Sequence, residues 1–330
     1  MRLSVAIALL ASPAPFCAAV APLPVSLVVQ ADHVRVEVGG RFFTDYIFAG
    51  ANHPYLYPIL MPDGTPLTRD FPMKDTPGED RDHPWHRSLW FAHSIVNGID
   101  FWNEGAGDIG RSPKAKGRIE HVTLLETAGG DVGVIRARDR WVAPDGALVC
   151  TSETTLRIRG TPELRLIDYD VTLHALPDQP LLLGDNKDGT LALRLAQWMT
   201  LPHKYQKKDL PGAGHILTSA GARDAGAWGT RADWCDYFAP HGGRIYGVAI
   251  FDHPQNLRHP TWWMARDYGL FGANPFGRHD FEKAEAQPHL GDYTIPAGSS
   301  LTLRYRIVCH YGDAATAHVA GLYRAYAEEK

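Results

Sequence analysis

Between Asp82 and Trp102 the chain reads DHPWHRSLWFAHSIVNGIDFW, which gathers three histidines, three tryptophans, one arginine and two aspartates in one stretch. Imidazole is the side chain whose ordinary titration falls near neutral pH, so His83, His86 and His93 are candidates for proton transfer. Arg87 offers a rigid fork of donors for a carboxylate or a pair of hydroxyls. Trp90 and Trp102 offer flat faces for the C–H side of a sugar ring, and Asn97 can orient its hydroxyls. The plainer alternative is an aromatic core with satisfied histidines.

Which imidazoles meet depends on the local backbone. In an extended segment His83, Trp85, Arg87, Leu89, Phe91 and His93 share one face, with His86 and Trp90 on the other. In a helix His83, His86, Trp90, His93 and Asn97 align instead. The β-rich context and a turn over Ser94–Gly98 favour the strand. His53, His83, His253 and His259 each precede a proline, which pushes a residue towards the extended region and would fix each imidazole for a ligand. Strand ends produce the same dipeptide.

Two further clusters carry polar chemistry. GDNKDGTLALR sets Asp185, Lys187, Asp188 and Arg194 around a turn at Gly189. Lys187 and Asp188 are candidates for a second acid/base pair and Arg194 for a binding group; an exposed hairpin tip would look similar. HPTWWMARDYGLFGANPFGRHDF mixes tryptophans with Arg266, Asn274 and His279, and with His253 just upstream these are candidate substrate-binding residues. Buried aromatics compete for at least one of Trp262 and Trp263.

The elements that must position these groups read mostly as strands. VSLVVQADHVRVEVGGRFFTDYIF alternates apolar and polar residues about Gly39-Gly40. Residues 121–160 repeat the pattern with turns at Gly129-Gly130 and Asp145-Gly146. ELRLIDYDVTLHAL and SLTLRYRIVCHYG are further alternations. One helix is expected, in DAATAHVAGLYRAYAEEK, with Asp313 as its cap. Residues 61–82 and 203–233 read as long loops, which in compact domains are usually functional or disordered. The expectation is all-β: a large two-sheet β-sandwich with a short C-terminal helix. No repeat of about 40 residues supports a propeller.

The chain has 330 residues, 45% of them apolar, and a formal net charge of -4. That is ample for a large core and gives no basic block for nucleic acid. Residues 1–21 have the layout of a secretory signal, with one arginine, a short apolar run and Ala19-Val20-Ala21 before the cut. A single domain over 22–330, periplasmic or secreted, is expected, and no apolar run approaches the about 18 residues of a membrane span. Cys150, Cys235 and Cys309 remain, as one bridge plus a thiol or as three buried thiols.

DHPWHRSLWFAHSIVNGIDFW, DNKDGTLALR, YGLFGANPFG and SLTLRYRIVCHYG, in that order, resemble a bacterial domain family labelled methane oxygenase PmoA or of unknown function. The resemblance spans most of the mature chain. That family often carries His, Gly and Gly where this chain has Trp85, Ser88 and Ser94. It implies a galactose-mutarotase-like supersandwich, a fold shared by sugar epimerases, lyases and glycosidase domains. The first reading is an exported carbohydrate-active enzyme with a small-molecule sugar substrate and no cofactor, using acid/base chemistry for epimerisation, elimination or hydrolysis. A metal-dependent oxygenase, as the label suggests, and a non-catalytic carbohydrate-binding protein are the alternatives.

Overall fold

A computed structural model describes residues 21–105 and 112–329. The expected signal segment therefore lies almost wholly outside the described residues. Alternating side chains organise the rest into two eight-stranded antiparallel sheets. The first runs, in spatial order, through Val25–Val29, His33–Val38, Arg41–Ile47, Tyr55–Tyr57, Leu89–His93, Gly189–Arg194, Leu270–Asn274 and Trp262–Ala265. The second runs through His215–Thr218, Trp234–His241, Arg244–Asp252, Ser300–Tyr311, Arg165–Ala175, Leu148–Gly160, Gly133–Val142 and Arg118–Ala128. One apolar core joins Val36, Leu56 and Leu191 of the first sheet to Ile158, Tyr169 and Ile307 of the second. The fold is the expected two-sheet β-sandwich.

The second sheet buries every other residue along Leu148–Gly160, as expected of strands with one wet face. The centre of the first sheet differs. Leu89–His93, Gly189–Arg194 and Leu270–Asn274 are buried at every position. Their second face is covered by irregular chain from residues 61–88, anchored where Arg69 N donates to Arg194 O at 3.0 Å and Arg194 N to Ser88 O at 2.7 Å.

The expected turns form. Gly39 and Gly40 take φ of +60° and +71° between two strands, the left-handed pair a two-residue hairpin needs. Asn97 and Gly98 take +49° and +78° and close Val96 onto Ile99 through two bonds of 2.9 and 3.0 Å. The terminal helix starts later than expected, at Val319–Ala327. Asp313 instead caps the preceding turn, accepting from Thr316 N at 2.8 Å. All three cysteines are free and buried.

Gly98→Ala tests the turn. Nothing lies within 4 Å of a methyl placed there, so the cost is conformational, about 1–2 kcal/mol. Denaturant titration should show that loss; an unchanged midpoint would mean the turn does not need a left-handed residue.

Candidate functional site

Strand parity decides which side chains face the covered side of the first sheet. Trp90 stands opposite Ala192, Ala192 opposite Gly272, and Gly272 opposite Met264. These four share a face, and Arg194 and Leu270, two positions along, share it too. Phe91 faces the other way, towards Trp141 and Tyr169 of the second sheet. His93 has the parity of Phe91, so it does not join the other histidines. Its Nε2 meets the Gly184 carbonyl at 2.7 Å, and burial pushes its pKa down to about 4 despite that bond.

Residues 79–88 are held over this face by one carboxylate. Asp82 accepts from Arg194 through Nη2 at 2.7 Å and Nη1 at 2.9 Å, and from Arg69 Nη1 at 2.8 Å. Both guanidiniums are 1% exposed. Arg69 also donates to the carbonyls of Phe71, Asp80 and His83. Behind it, buried His203 Nε2 meets Asp80 Oδ2 at 2.7 Å. Burial alone would raise the Asp82 pKa. The hydrogen bond from His83 and the contacts with Arg194 and Arg69 outweigh it and hold the carboxyl well below the usual range.

The backbone from 83 to 88 is neither the expected strand nor a helix. His86 N donates to His83 O at 3.0 Å, and His83 and Ser88 take φ of +43° and +55°. The positive φ at His83 also departs from the extended backbone expected before Pro84. This turn stacks rings. His83 and His86 lie 4.6 Å apart and 1° from parallel. Tyr268 flanks His83 at 5.6 Å and Trp90 underlies His86 at 5.3 Å.

Partners assign different protons to the two imidazoles. An ionised carboxylate can only accept, so the Asp82–His83 contact places a proton on His83 Nδ1, and in the neutral ring the lone pair is on Nε2. Arginine can only donate, so Arg194 Nη1 at 3.2 Å makes His86 Nδ1 an acceptor. A neutral His86 then carries its proton on Nε2. Burial, then the neighbouring His83, Arg194 and Arg69, push His86 well below the usual imidazole pKa. In that neutral form its Nε2–H is a donor.

His83 and His86 line a cleft of about 260 Å³ with Trp85, Trp102, Asn103, Lys187, Asp188, Met264, Arg266, Tyr268 and Leu270. Lys187 Nζ meets both Asp188 oxygens, at 3.0 and 3.1 Å. Asn274 does not reach for a ligand. Its Nδ2 donates to the carbonyls of Asn186 and Lys187, each at 2.9 Å, and so positions the Lys187–Asp188 loop. Arg266 lies over the Trp228 ring at 4.8 Å. Buried Asp100 accepts from the backbone N–H groups of Trp102 and Asn103 at 2.9 and 3.0 Å, setting both on the cleft wall. Burial pushes the Tyr268 phenol up to about 12 against the pull of Arg194 and Arg266.

Other expected site residues have different partners. Arg87 is engaged by Glu104 at 2.9 and 3.0 Å. Asn97 clips its turn to residues 180–182, accepting from Leu182 N at 2.7 Å and donating to Pro180 O at 3.2 Å. His253 Nε2 meets the Glu329 carbonyl. His279 approaches the Gln287 carbonyl. Trp90 and Trp102 are fully buried, so half-buried Trp85 and Tyr268 are the available platforms. Asp82, Arg69, Trp85 and Asn103 were absent from the sequence-based site, and Tyr268 entered it only as one aromatic of the HPTWWMARDYGLFGANPFGRHDF cluster. An acid directly before His83 was the legible signal for Asp82; the others owe their place to packing.

Asp82→Asn leaves two buried guanidiniums short of a counter-charge, and urea unfolding should show a loss of about 3–5 kcal/mol. Asp188→Asn, which breaks a more exposed pair, should cost about 0–1 kcal/mol. Equal losses would contradict the clamp. His93 adds a pH dependence. Its folded pKa is depressed, so the unfolded chain takes the proton first and stability falls as pH drops from about 6.5 towards 4, by about 3 kcal/mol in all. His93→Leu should make that slope shallower, with buried His53 and His86 supplying the rest; a slope unchanged in this variant would remove the assignment.

Among the described residues no three His, Cys, Asp or Glu side chains are grouped to hold a metal ion, and no helix is long and apolar enough to cross a membrane. No curated protein matches the sequence. Solved structures that align include the GH36 α-galactosidase AgaB of Geobacillus stearothermophilus, at 13% identity and TM-score 0.40, over 88% of this chain and 41% of that one. An α-galactosidase of Lactobacillus brevis aligns at 9% identity and TM-score 0.34, over 90% and 40%. A galactose mutarotase related enzyme of Lactobacillus acidophilus aligns at 10% identity and TM-score 0.31, over 88% and 97%. The chain thus spans about two-fifths of the α-galactosidases. At these scores the sandwich assignment rests on the strand pairing alone. A family profile matches residues 33–324, nearly the whole described chain, and its description names no methane oxygenase. The chain belongs to the family of unknown function DUF6807.

Proposed function

We propose that the protein is a carbohydrate-active enzyme that moves a proton at a sugar or glycoside bound in the cleft of His83. The observation that carries this reading is the Asp82–His83 pair. A fixed carboxylate orients the imidazole and favours the form protonated on Nδ1. The lone pair on Nε2 is then available to a ligand, because the ring lines the cleft. A base held in one tautomer by a fixed acid is a recurrent arrangement for general base catalysis.

The other groups supply what such a step needs. His83 Nε2 takes the proton. Neutral His86 donates from Nε2 to an oxygen on which negative charge develops, as an uncharged electrophile. Lys187 with Asp188 is the second titratable pair, able to return a proton or hold a hydroxyl. Trp85 and Tyr268 stack on the apolar face of the ring. Epimerisation, elimination and hydrolysis all fit this set, and the panel below separates them. The layout of residues 1–21 supports export as part of the same proposal.

A panel of aldoses, uronates and aryl glycosides, followed by NMR, would show which bond changes. His83→Gln should lower kcat by about 10²–10⁴-fold with a thermal midpoint near the wild type. Trp85→Ala should raise KM more than it lowers kcat. His86→Ala should lower both activity and stability, because its ring is buried in the stack. Saturable sugar binding without turnover in the wild type would leave a binding protein in place of an enzyme. Neither binding nor turnover would remove the carbohydrate reading. Export has its own check: secreted protein should begin at or near Pro22, and a mature N-terminus at Met1 would refute it.

A further inference from the structure

Arg165 opens the strand Arg165–Ala175 and is 2% exposed. Arginine rarely reaches that depth without a charged partner. Among the described residues, its hydrogen bonds go to the backbone carbonyls of Thr161 at 2.6 Å and Leu164 at 2.9 Å, both through Nη1. Nε and Nη2 have no acceptor among those residues, and no described carboxylate forms an ion pair with the group. Burial, the largest influence, lowers its pKa; Cys309 and Tyr311 partly oppose this and nearby Arg41 adds to it.

The surroundings make room for this guanidinium. Residue 160, its strand partner, is glycine. A side chain there would come within 2.5 Å of Val38 Cγ1 and 3.1 Å of Arg165 Nη1. The Phe43 ring lies 5.9 Å from the guanidinium carbon. Arg165 lines a groove of about 350 Å³ with Arg41, Leu23, Val38, Pro162 and Tyr311. Arg41 donates to the Pro62 carbonyl at 3.1 Å and, among the described residues, has no carboxylate partner. Asp63 is the acid on the groove wall. Its oxygens are taken up by Thr65 N at 3.0 Å and the Tyr246 hydroxyl at 3.1 Å, with Arg244 at 3.6 Å. The groove therefore presents positive charge within an apolar rim, and it shares no lining residue with the cleft at His83.

We propose that this groove is a second binding site, for a small organic carboxylate. The anionic head takes the Nε–Nη2 edge of Arg165 as a two-point contact, with Arg41 beside it. The apolar body rests on Leu23, Val38 and Pro162. A planar fork matched to a planar carboxylate gives orientation as well as charge, which a lysine cannot supply. Binding there also gives a buried cation a counter-charge that the described residues do not provide.

Benzoate is a suitable probe, with benzyl alcohol as its neutral counterpart and sodium chloride to match ionic strength. Calorimetric titration of the whole protein should show saturable binding of benzoate at one site, and benzoate should raise the thermal midpoint. Benzyl alcohol should do neither. Arg41→Gln, a change at an exposed position, should weaken benzoate several-fold. Arg165→Lys keeps the charge, loses the fork, and should weaken it at least tenfold. Arg41→Gln carries the test alone should Arg165→Lys fail to fold. Three results would overturn the proposal: no saturable binding, binding indifferent to the arginine substitutions, or binding lost in His83→Gln, which would put the probe in the cleft.

Discussion

One carboxylate lets two buried guanidiniums exist in this sandwich. Arg69 belongs to the loop that covers the first sheet, and Arg194 to a central strand. Asp82 meets both. Removing each charge from water costs several kcal/mol, which the hydrogen-bonded carboxylate offsets. Removing Asp82 would therefore disturb the loop and the strand together. The same carboxylate still has an oxygen for His83. A structural ion cluster and the orientation of a candidate base are thus one arrangement.

That sharing explains why the two stacked imidazoles differ. His83 lies on the carboxylate side of the cluster and His86 on the guanidinium side, so one has its proton fixed inward and the other outward. The stack itself follows from the turn at 83–86. Residues three apart meet there without a helix, because left-handed backbone at His83 curls the chain. Left-handed backbone at a non-glycine residue stores strain, which the hydrogen bonds of Arg69 and Arg194 overcome.

Parity along short buried strands did most to sort the site. Trp90 and His93 are three residues apart, so a strand must send them to opposite faces. One became the floor beneath His86, and the other a neutral buried histidine against Phe276. Asn274 reaches the right face but is occupied by the loop carbonyls of Asn186 and Lys187. Arg87 already has a carboxylate partner in Glu104. The donors of these side chains find their partners within the chain itself.

What the sequence determined by itself was the periodic part. Alternation marked the long strands of the second sheet with their turns at Gly129-Gly130 and Asp145-Gly146, and Gly39-Gly40 and Ser94–Gly98 marked turns of the first, because these signals act over neighbouring residues. Of the five residues expected to move protons, His83, His86, Lys187 and Asp188 line one cleft and His93 lies apart from it. Only the tertiary structure decided which imidazole meets a carboxylate and which a guanidinium, and that Asp82, Arg69, Trp85 and Tyr268 surround them. Those facts depend on contacts between residues 69, 82, 194 and 268, which are far apart along the chain. No local pattern encodes the distance between a loop carboxylate and a strand guanidinium; packing the covering loop onto the sheet sets it.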